Sequence, residues 1–554
     1  MHTPRRPPLA ALAVLTGLAL VTCARGPEPA PPEAGDGAPR LLDDLGDRSY
    51  PITTSSELAQ RYFDQGLALS YGFNHDAAIR SFQAAEQLDP GCAMCAWGVG
   101  LAYGPNINAP MGPEAGRAAY AATQRARQRA AGATEVERDL IEALATRYAA
   151  EPPADRAALD LAYADAMREV HGKHPGDLEV ATLFAESLMD LNPWDYWLDG
   201  AVPRETTPEL LATLEAVLER EPDHIGANHY YIHATEEFFP ERGEPSADRL
   251  TALGLESGHL VHMPAHIYWR VGRYGDAVTA NQVAAAADEA FFSWCRGGAF
   301  YAATYYGHNL HFLWAAAAAE GRSALAQTTA RKLEAVSRDR LDEFPPLEEF
   351  IATPMLSAAR FGDWDSLLGT PPPDPGRPYL TGIWHYARGL ALVRTGQPDA
   401  AKAELAALVA AAKSPEAAAL GLAGGTASAA TLLGIGAAHL EGEIAAARGD
   451  HAAAVAALER AVAQQDALLY MEPPPWYFPT RQALGVVLLD AGRPADAEAV
   501  YRRDLEQHPG NGWSLYGLAR SLAAQGEAAG ADLAETGYRN AFAQADVSLT
   551  ASRF

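Results

Sequence analysis

An all-α solenoid of roughly ten stacked helical hairpins, with irregular insertions, is the fold class this sequence predicts. Three observations predict it. Between residues 57 and 540 the apolar residues recur with helical period, and no stretch alternates as a strand would. Glycine-containing turns such as Gly272-Arg273, Gly396-Gln397, Gly449-Asp450 and Gly492-Arg493 punctuate those helical stretches. A segment pattern also returns along the chain, at residues 74–90 and again at 492–509, the signature of a repeat array rather than of one globular core.

Composition narrows the function classes. The chain has 554 residues, 48% hydrophobic and 20% charged, which is too apolar for a disordered protein. Its net charge of −27, from 43 basic against 70 acidic residues, argues against a nucleic-acid binder, which needs clustered cations to displace counterions. It equally disfavours docking of the folded part on an anionic membrane. Four cysteines exclude a disulfide scaffold.

The N-terminus reads as an address. Arg5 and Arg6 precede an apolar run from Leu9 to Val21, too short to span a bilayer, and Cys23 follows. Leu20-Val21-Thr22-Cys23 resembles the lipobox of bacterial lipoproteins, which implies that residues 1–23 are a signal peptide region and that Cys23 is lipidated. An ordinary secretory signal cut near Ala24 is the alternative. Either way the working part lies outside the cytoplasm, facing the periplasm, with a lipid anchor as its only membrane contact. Residues 24–56 are then expected to be a flexible Pro/Gly-rich tether.

The repeat follows. Asn74-His75-Asp76-Ala77-Ala78-Ile79-Arg80-Ser81-Phe82-Gln83-Ala84-Ala85, closed by Asp89-Pro90, carries an A-x3-F core and a terminal proline. Gly492 to Pro509, with Tyr501 in the aromatic place, matches the same pattern, and Asn511-Gly512-Trp513 opens another unit. These residues resemble the tetratricopeptide-repeat family over nearly all of residues 57–540. The resemblance implies a right-handed solenoid whose concave wall is lined by the first helix of each unit. Residues 541–554 are left as a C-terminal tail.

Eight of the 16 histidines lie between residues 224 and 311, seven of them in the central units spanning 225–325. With Gly272 as the turn glycine, His259, His262 and His266 take repeat positions 2, 5 and 9. With Pro222 ending the previous unit, His229 and His233 take positions 5 and 9 and Glu236 position 12. With Gly321 as a turn, His308 and His311 take positions 2 and 5. At roughly 100° per residue these positions share one helix face, away from the apolar packing positions Val261, Pro264, Ala265 and Tyr268. The sequence therefore places seven imidazoles on the concave wall.

Helical H-x3-H and H-x2-H pairs set rings one turn apart, within reach of one ion, and Glu236 can add a carboxylate. Imidazole suits copper, iron and zinc, and the affinity order favours copper. Seven histidines exceed what one ion uses, so one or two ions are expected. Two other readings stay open: a metal-free groove in which His, Trp269 and Arg270 bind a peptide, glycan or small molecule, and simple solvated histidines.

Other residues offer weaker candidates. Glu186 and Asp190 fit carboxylates that orient imidazoles, or an exposed helix face. His439 and Glu443 fall at positions 5 and 9 of a later unit, and face the same groove only if the superhelix curls. Cys92-Ala93-Met94-Cys95 reads first as a local disulfide and then as buried thiols or a soft-metal site; Cys295 reads as unpaired. The aromatic segments 192–197 and 472–479 fit either lids or packing between irregular repeats. No G-x-S-x-G, no phosphate-binding G-x4-G-K-[ST] and no H-E-x-x-H occurs. The sequence thus points to a metal-binding solenoid, a setting for metal-dependent oxidation, with a non-enzymatic interaction scaffold as the rival class.

Overall fold

The computed structural model describes residues 39–554 except 43, 47, 199 and 295–298. The expected signal region, Cys23, the first part of the tether and Cys295 lie outside the described residues. Twelve antiparallel helical hairpins follow one another among the described residues, from Glu57–Tyr71 paired with His75–Leu88 to Gly512–Ala524 paired with Ala528–Ala541. The chain is therefore an all-α, tetratricopeptide-like solenoid. Short units such as Thr353–Phe361 with Trp364–Gly369 account for the count exceeding the sequence-based one. The described strands are two-residue pairs, Trp197–Leu198 with Val202–Pro203 and Gly421–Leu422 with Ala427–Ser428. No helix among the described residues is long and apolar enough to cross a membrane.

The hairpins stack through an aromatic knob. Phe82, fully buried, lies between Gly66 and Gly98 of the two neighbouring helices. A Cβ at Gly66 would stand 2.7 Å from its ring, and one at Gly98 closer still. Tyr501 repeats the arrangement near the other end, seated on Gly485 and Gly517. In both places the glycines lie sixteen residues before and after the aromatic, so the two best-matched repeats share register as well as motif. Turns between paired helices use a left-handed residue, with φ of 82° at Gly272 and 71° at Gly492.

The array is not open. The ring of Tyr71 packs on Gly226, four units further on. At the other end, Trp513 Nε1 donates to the Ala318 carbonyl at 3.0 Å, and Asp546 accepts from the Ser323 and Ala324 amides at 2.6 and 2.9 Å. First and last repeats thus both press on the central ones.

Two expectations about the chain ends are corrected. Residues 39–56 do not behave as a loose tether. Tyr50 donates to Asp177 at 2.9 Å, Thr54 to Asp89 at 2.6 Å, and Arg48 pairs with Glu179 and Glu221. Polar side chains spaced along an extended strap find partners on units as far apart as the first and the fourth, which composition alone does not reveal. Residues 541–554 are likewise not a free tail: Ser552 donates to the Gln482 carbonyl at 2.9 Å and Arg553 pairs with Glu443 at 3.0 Å.

Gly98→Ala tests the knob packing. On an isolated helix alanine would be favoured by ~1 kcal/mol, but here its methyl must displace Phe82. Overpacking of this kind costs about 1–3 kcal/mol, so a lowered midpoint in urea denaturation is expected.

Candidate metal centre

Helix Ile225–Thr235 is buried along its whole length, and so are Gly258–His262 and most of Pro264–Arg270. The histidines are correspondingly sealed: His229, His233, His259, His262 and His266 are each at most 3% exposed, while His308 is half-buried. They do not line an open concave wall, because the curled array and the segments around 105–111, 193–194 and 469–472 cover that side.

Three groups of ligand atoms result, each within 4.8 Å: His229, His233 and His259; His262, His266 and His308; and Glu236, His266 and Glu472. In the second, the Nε2 atoms of His262 and His266 are 2.9 Å apart, and those of His266 and His308 are 3.5 Å apart. The H-x3-H pairs 229/233 and 262/266 each stay together, whereas 259/262 divide between groups. On a helix, residues four apart diverge by roughly 40° one way and residues three apart by roughly 60° the other. His259 therefore turns back toward the preceding helix and His262 forward to the next.

Outer partners fix the rings. His229 Nδ1 donates to the Tyr71 carbonyl at 2.6 Å. His262 Nδ1 donates to Asn281 Oδ1 at 2.6 Å, and the Asn281 amide is held by the Ala277 carbonyl at 2.8 Å. His233 Nδ1 lies 3.0 Å from Glu236 Oε1, and His266 Nδ1 lies 2.8 Å from Glu236 Oε2. With Nδ1 committed, the Nε2 lone pairs of His229, His233 and His262 face inward. Nε2 of His229 and of His233 and both nitrogens of His259 have no protein partner there.

Electrostatics favour neutral rings over most of the centre. Burial, reinforced by neighbouring imidazoles, holds His229, His259, His262 and His308 well below the ordinary imidazole value. Neutral imidazole is the form that ligates. For His266 and Glu236 burial opposes charge, but their mutual attraction wins: the imidazole is pushed up and the carboxyl down.

Phe73 closes the first group from outside, its ring centroid 4.6 Å from His229 and 5.3 Å from His259. It occupies the place of the turn glycine in later units and carries a left-handed φ of 54°. Strain of this kind costs on the order of 1–3 kcal/mol, and the buried ring beside two imidazoles is what the fold obtains for it.

A cavity of about 950 Å³ opens beside the centre. His233, His259, His266 and His308 form one wall, and Trp194, Tyr305 and Tyr470 are among the rings around it. The segment around 192–197 contributes Trp194, whose Nε1 donates to Asn108 at 2.9 Å. Glu472, at the head of the 472–479 segment, reaches the centre itself, 3.4 Å from His266 Nδ1.

Several sequence-chosen residues lie elsewhere. His311 does not join His308; it stacks on Trp314 at 5.4 Å and 12°, because three residues of helix turn it toward the neighbouring repeat. Glu186 and Asp190 orient no imidazole and pair instead with the buried Arg147. The superhelix curls, yet His439 stays apart, bonded to the Tyr386 hydroxyl at 2.8 Å beside Glu443, which Arg394 and Arg553 neutralise. Trp269 packs on Phe312 at 5.8 Å rather than on the imidazoles. Arg270 donates to the carbonyls of Glu236 and Glu237 and faces Glu472 at 3.6 Å. Cys92 and Cys95 form a disulfide at the start of helix Ala93–Ala102. Phe73, Asn281 and the Tyr71 carbonyl carried no sequence signal, and Glu472 was marked only as the first residue of the 472–479 segment.

No family model matches this sequence, and no curated protein matches it either. Among solved structures, the human IFIT1 dimer with PPP-AAAA is 12% identical, covering 89% of this chain and 92% of that one, with a TM-score of 0.29. Yeast Tom70 is 11% identical, covering 85% and 90%, with a TM-score of 0.28. Naa15/Naa10 bound to HypK-THB is 12% identical, covering 87% and 89%, with a TM-score of 0.23. Likenesses this distant leave the architecture to rest on the helices themselves.

Gly258, just before His259, has no room for a side chain because Asp288 occupies the space. Burial pushes the Asp288 carboxyl up to about 7, against the bonds it accepts from Tyr301 and Asn309. With the ordinary value at 3.8, its contribution to stability is fully present below about pH 4 and is lost as pH rises through about 7. Asp288→Asn, which does not titrate, should gain thermal stability relative to the parent protein between pH 4 and pH 8. A constant difference in melting temperature across that range would contradict the assignment.

Proposed function

We propose that this protein is an extracytoplasmic transition-metal-binding solenoid that presents its metal to a small molecule in the adjoining cavity. One observation carries the reading: buried imidazoles with Nδ1 tied to oxygen acceptors direct Nε2 lone pairs at one another. A buried acceptor left unpaired costs about 1–3 kcal/mol, and a metal ion satisfies several at once. Backbone carbonyl, carboxylate and amide acceptors behind ligating histidines are the outer partners such sites use.

Imidazole-only groups suit copper, iron or zinc, with copper favoured by affinity. Three protein ligands leave a coordination position free, as in sites that bind exogenous molecules. That position would face the cavity through His233, His259, His266 and His308. A peptide- or glycan-binding scaffold is the less supported reading, because the histidines are sealed rather than spread along an accessible groove.

The address follows from the lipobox-like Leu20-Val21-Thr22-Cys23, with Cys23 as the lipid attachment point. The Cys92–Cys95 disulfide supports an oxidising compartment. Cys23→Ser should then release the protein from the membrane fraction.

Elemental analysis of protein purified without a metal-affinity tag tests the main reading: one or two equivalents of copper, iron or zinc are expected. Replacing His233 and His266 together by alanine should remove metal and lower the melting temperature while leaving the helical circular-dichroism signal in place. Metal-free parent protein that also takes up none in titration would leave the cavity to a ligand bound without metal.

A further inference from the structure

Glu236 follows helix Ile225–Thr235 directly, three residues after His233, and is 1% exposed. Each of its oxygens meets a different ring: Oε1 stands 3.0 Å from His233 Nδ1 and Oε2 stands 2.8 Å from His266 Nδ1. Those rings belong to different histidine groups, His233 with His229 and His259, His266 with His262 and His308. Their centroids are 5.9 Å apart, with the carboxylate joining them.

Accordingly, and resting on the metal reading above, we infer that the centre is two three-imidazole sites joined by Glu236, which positions one ligand of each and coordinates neither ion. Three observations lead there. The carboxylate faces the Nδ1 side of both rings, whereas the inward Nε2 of His266 is 2.9 Å from that of His262 and that of His233 has no protein partner. One further ligand of each group has its own outer partner, the Tyr71 carbonyl behind His229 and Asn281 behind His262, so among these partners only Glu236 serves both groups. Finally, an anionic group between two cations offsets part of their repulsion, which in a buried site is weakly screened.

The arrangement makes Glu236 and Asn281 separable. Loss of an outer partner typically costs about 10- to 100-fold in metal affinity. Glu236→Gln should therefore weaken both sites by that order, and Asn281→Ala only the His262–His266–His308 site. Glu472, which also approaches His266 but touches only one group, should leave the His229–His233–His259 site unchanged when replaced by glutamine.

Cobalt(II) is the probe, because its visible ligand-field bands report each site's geometry as well as its affinity. The parent protein should bind two equivalents. Glu236→Gln should shift the bands and weaken binding of both, and Asn281→Ala of one. An effect of Glu236→Gln confined to one equivalent, or absent, overturns the inference while the metal reading stands. A parent protein that takes up no cobalt, copper, iron or zinc fails the metal reading itself. Should Glu236→Gln not fold, anomalous diffraction from cobalt-loaded parent protein decides: two ions on imidazole nitrogens uphold the bridge. A single ion, or one held by the Glu236 and Glu472 carboxylates, overturns it.

Discussion

Close approach of helices at paired glycines is the constraint on which the rest depends. A single helical hairpin cannot cover its own apolar face, so each unit must seat a bulky residue against its neighbours. Phe82 between Gly66 and Gly98, and Tyr501 between Gly485 and Gly517, do this with identical spacing. That contact sets the rotation of the helices it joins near the two ends of the stack. In the central units His229, His233, His259, His262, His266 and His308 look toward one place, so three short stretches of sequence build a common centre.

What fills that place is chemically expensive. Five nearly inaccessible imidazoles, one half-buried imidazole and two buried carboxylates stand where an ordinary solenoid keeps solvent or apolar side chains. The surroundings make this tolerable without neutralising it. Acceptors stand behind Nδ1 of four rings, Arg270 stands near Glu472, and Phe73 takes a left-handed backbone to close the wall. Local rules broken together at one spot, with support drawn from distant segments, are the pattern expected where function rather than stability sets the residues.

The fold was legible because its cause is local. Helical period, turn glycines and the A-x3-F segment are read within one unit, and stacking follows from them. The grouping of His229, His233, His262 and His266 was legible for the same reason, since i,i+4 neighbours stay together on any helix. His311 misled because an i,i+3 partner falls on the other side of the stripe, where Trp314 takes it. The roles of Glu472, Asn281 and the Tyr71 carbonyl were invisible because they arrive from other units, and no spacing encodes a contact made by curling. His439 was drawn to the centre by register and Glu186 by its place just before the histidine units, but Tyr386 and Arg147 hold them elsewhere. The strap at 39–56 looked like linker because it continues a Pro/Gly-rich stretch, and only its partners show that Arg48, Ser49, Tyr50, Thr53 and Thr54 are bonded to the repeats.

Closure of the array changes what kind of repeat protein this is. In a linear stack the end units touch one neighbour each, so copies are gained or lost at the tips and unfolding frays inward. Here Tyr71 lies against Gly226, and Trp513 is bonded to Ala318. Adding or deleting a unit between Tyr71 and Gly226, or between Ala318 and Trp513, would throw that seam out of phase. The number of repeats within each of those stretches is thereby frozen, much as strand number is in a closed barrel, and diversification there must proceed through inserted loops rather than through duplication.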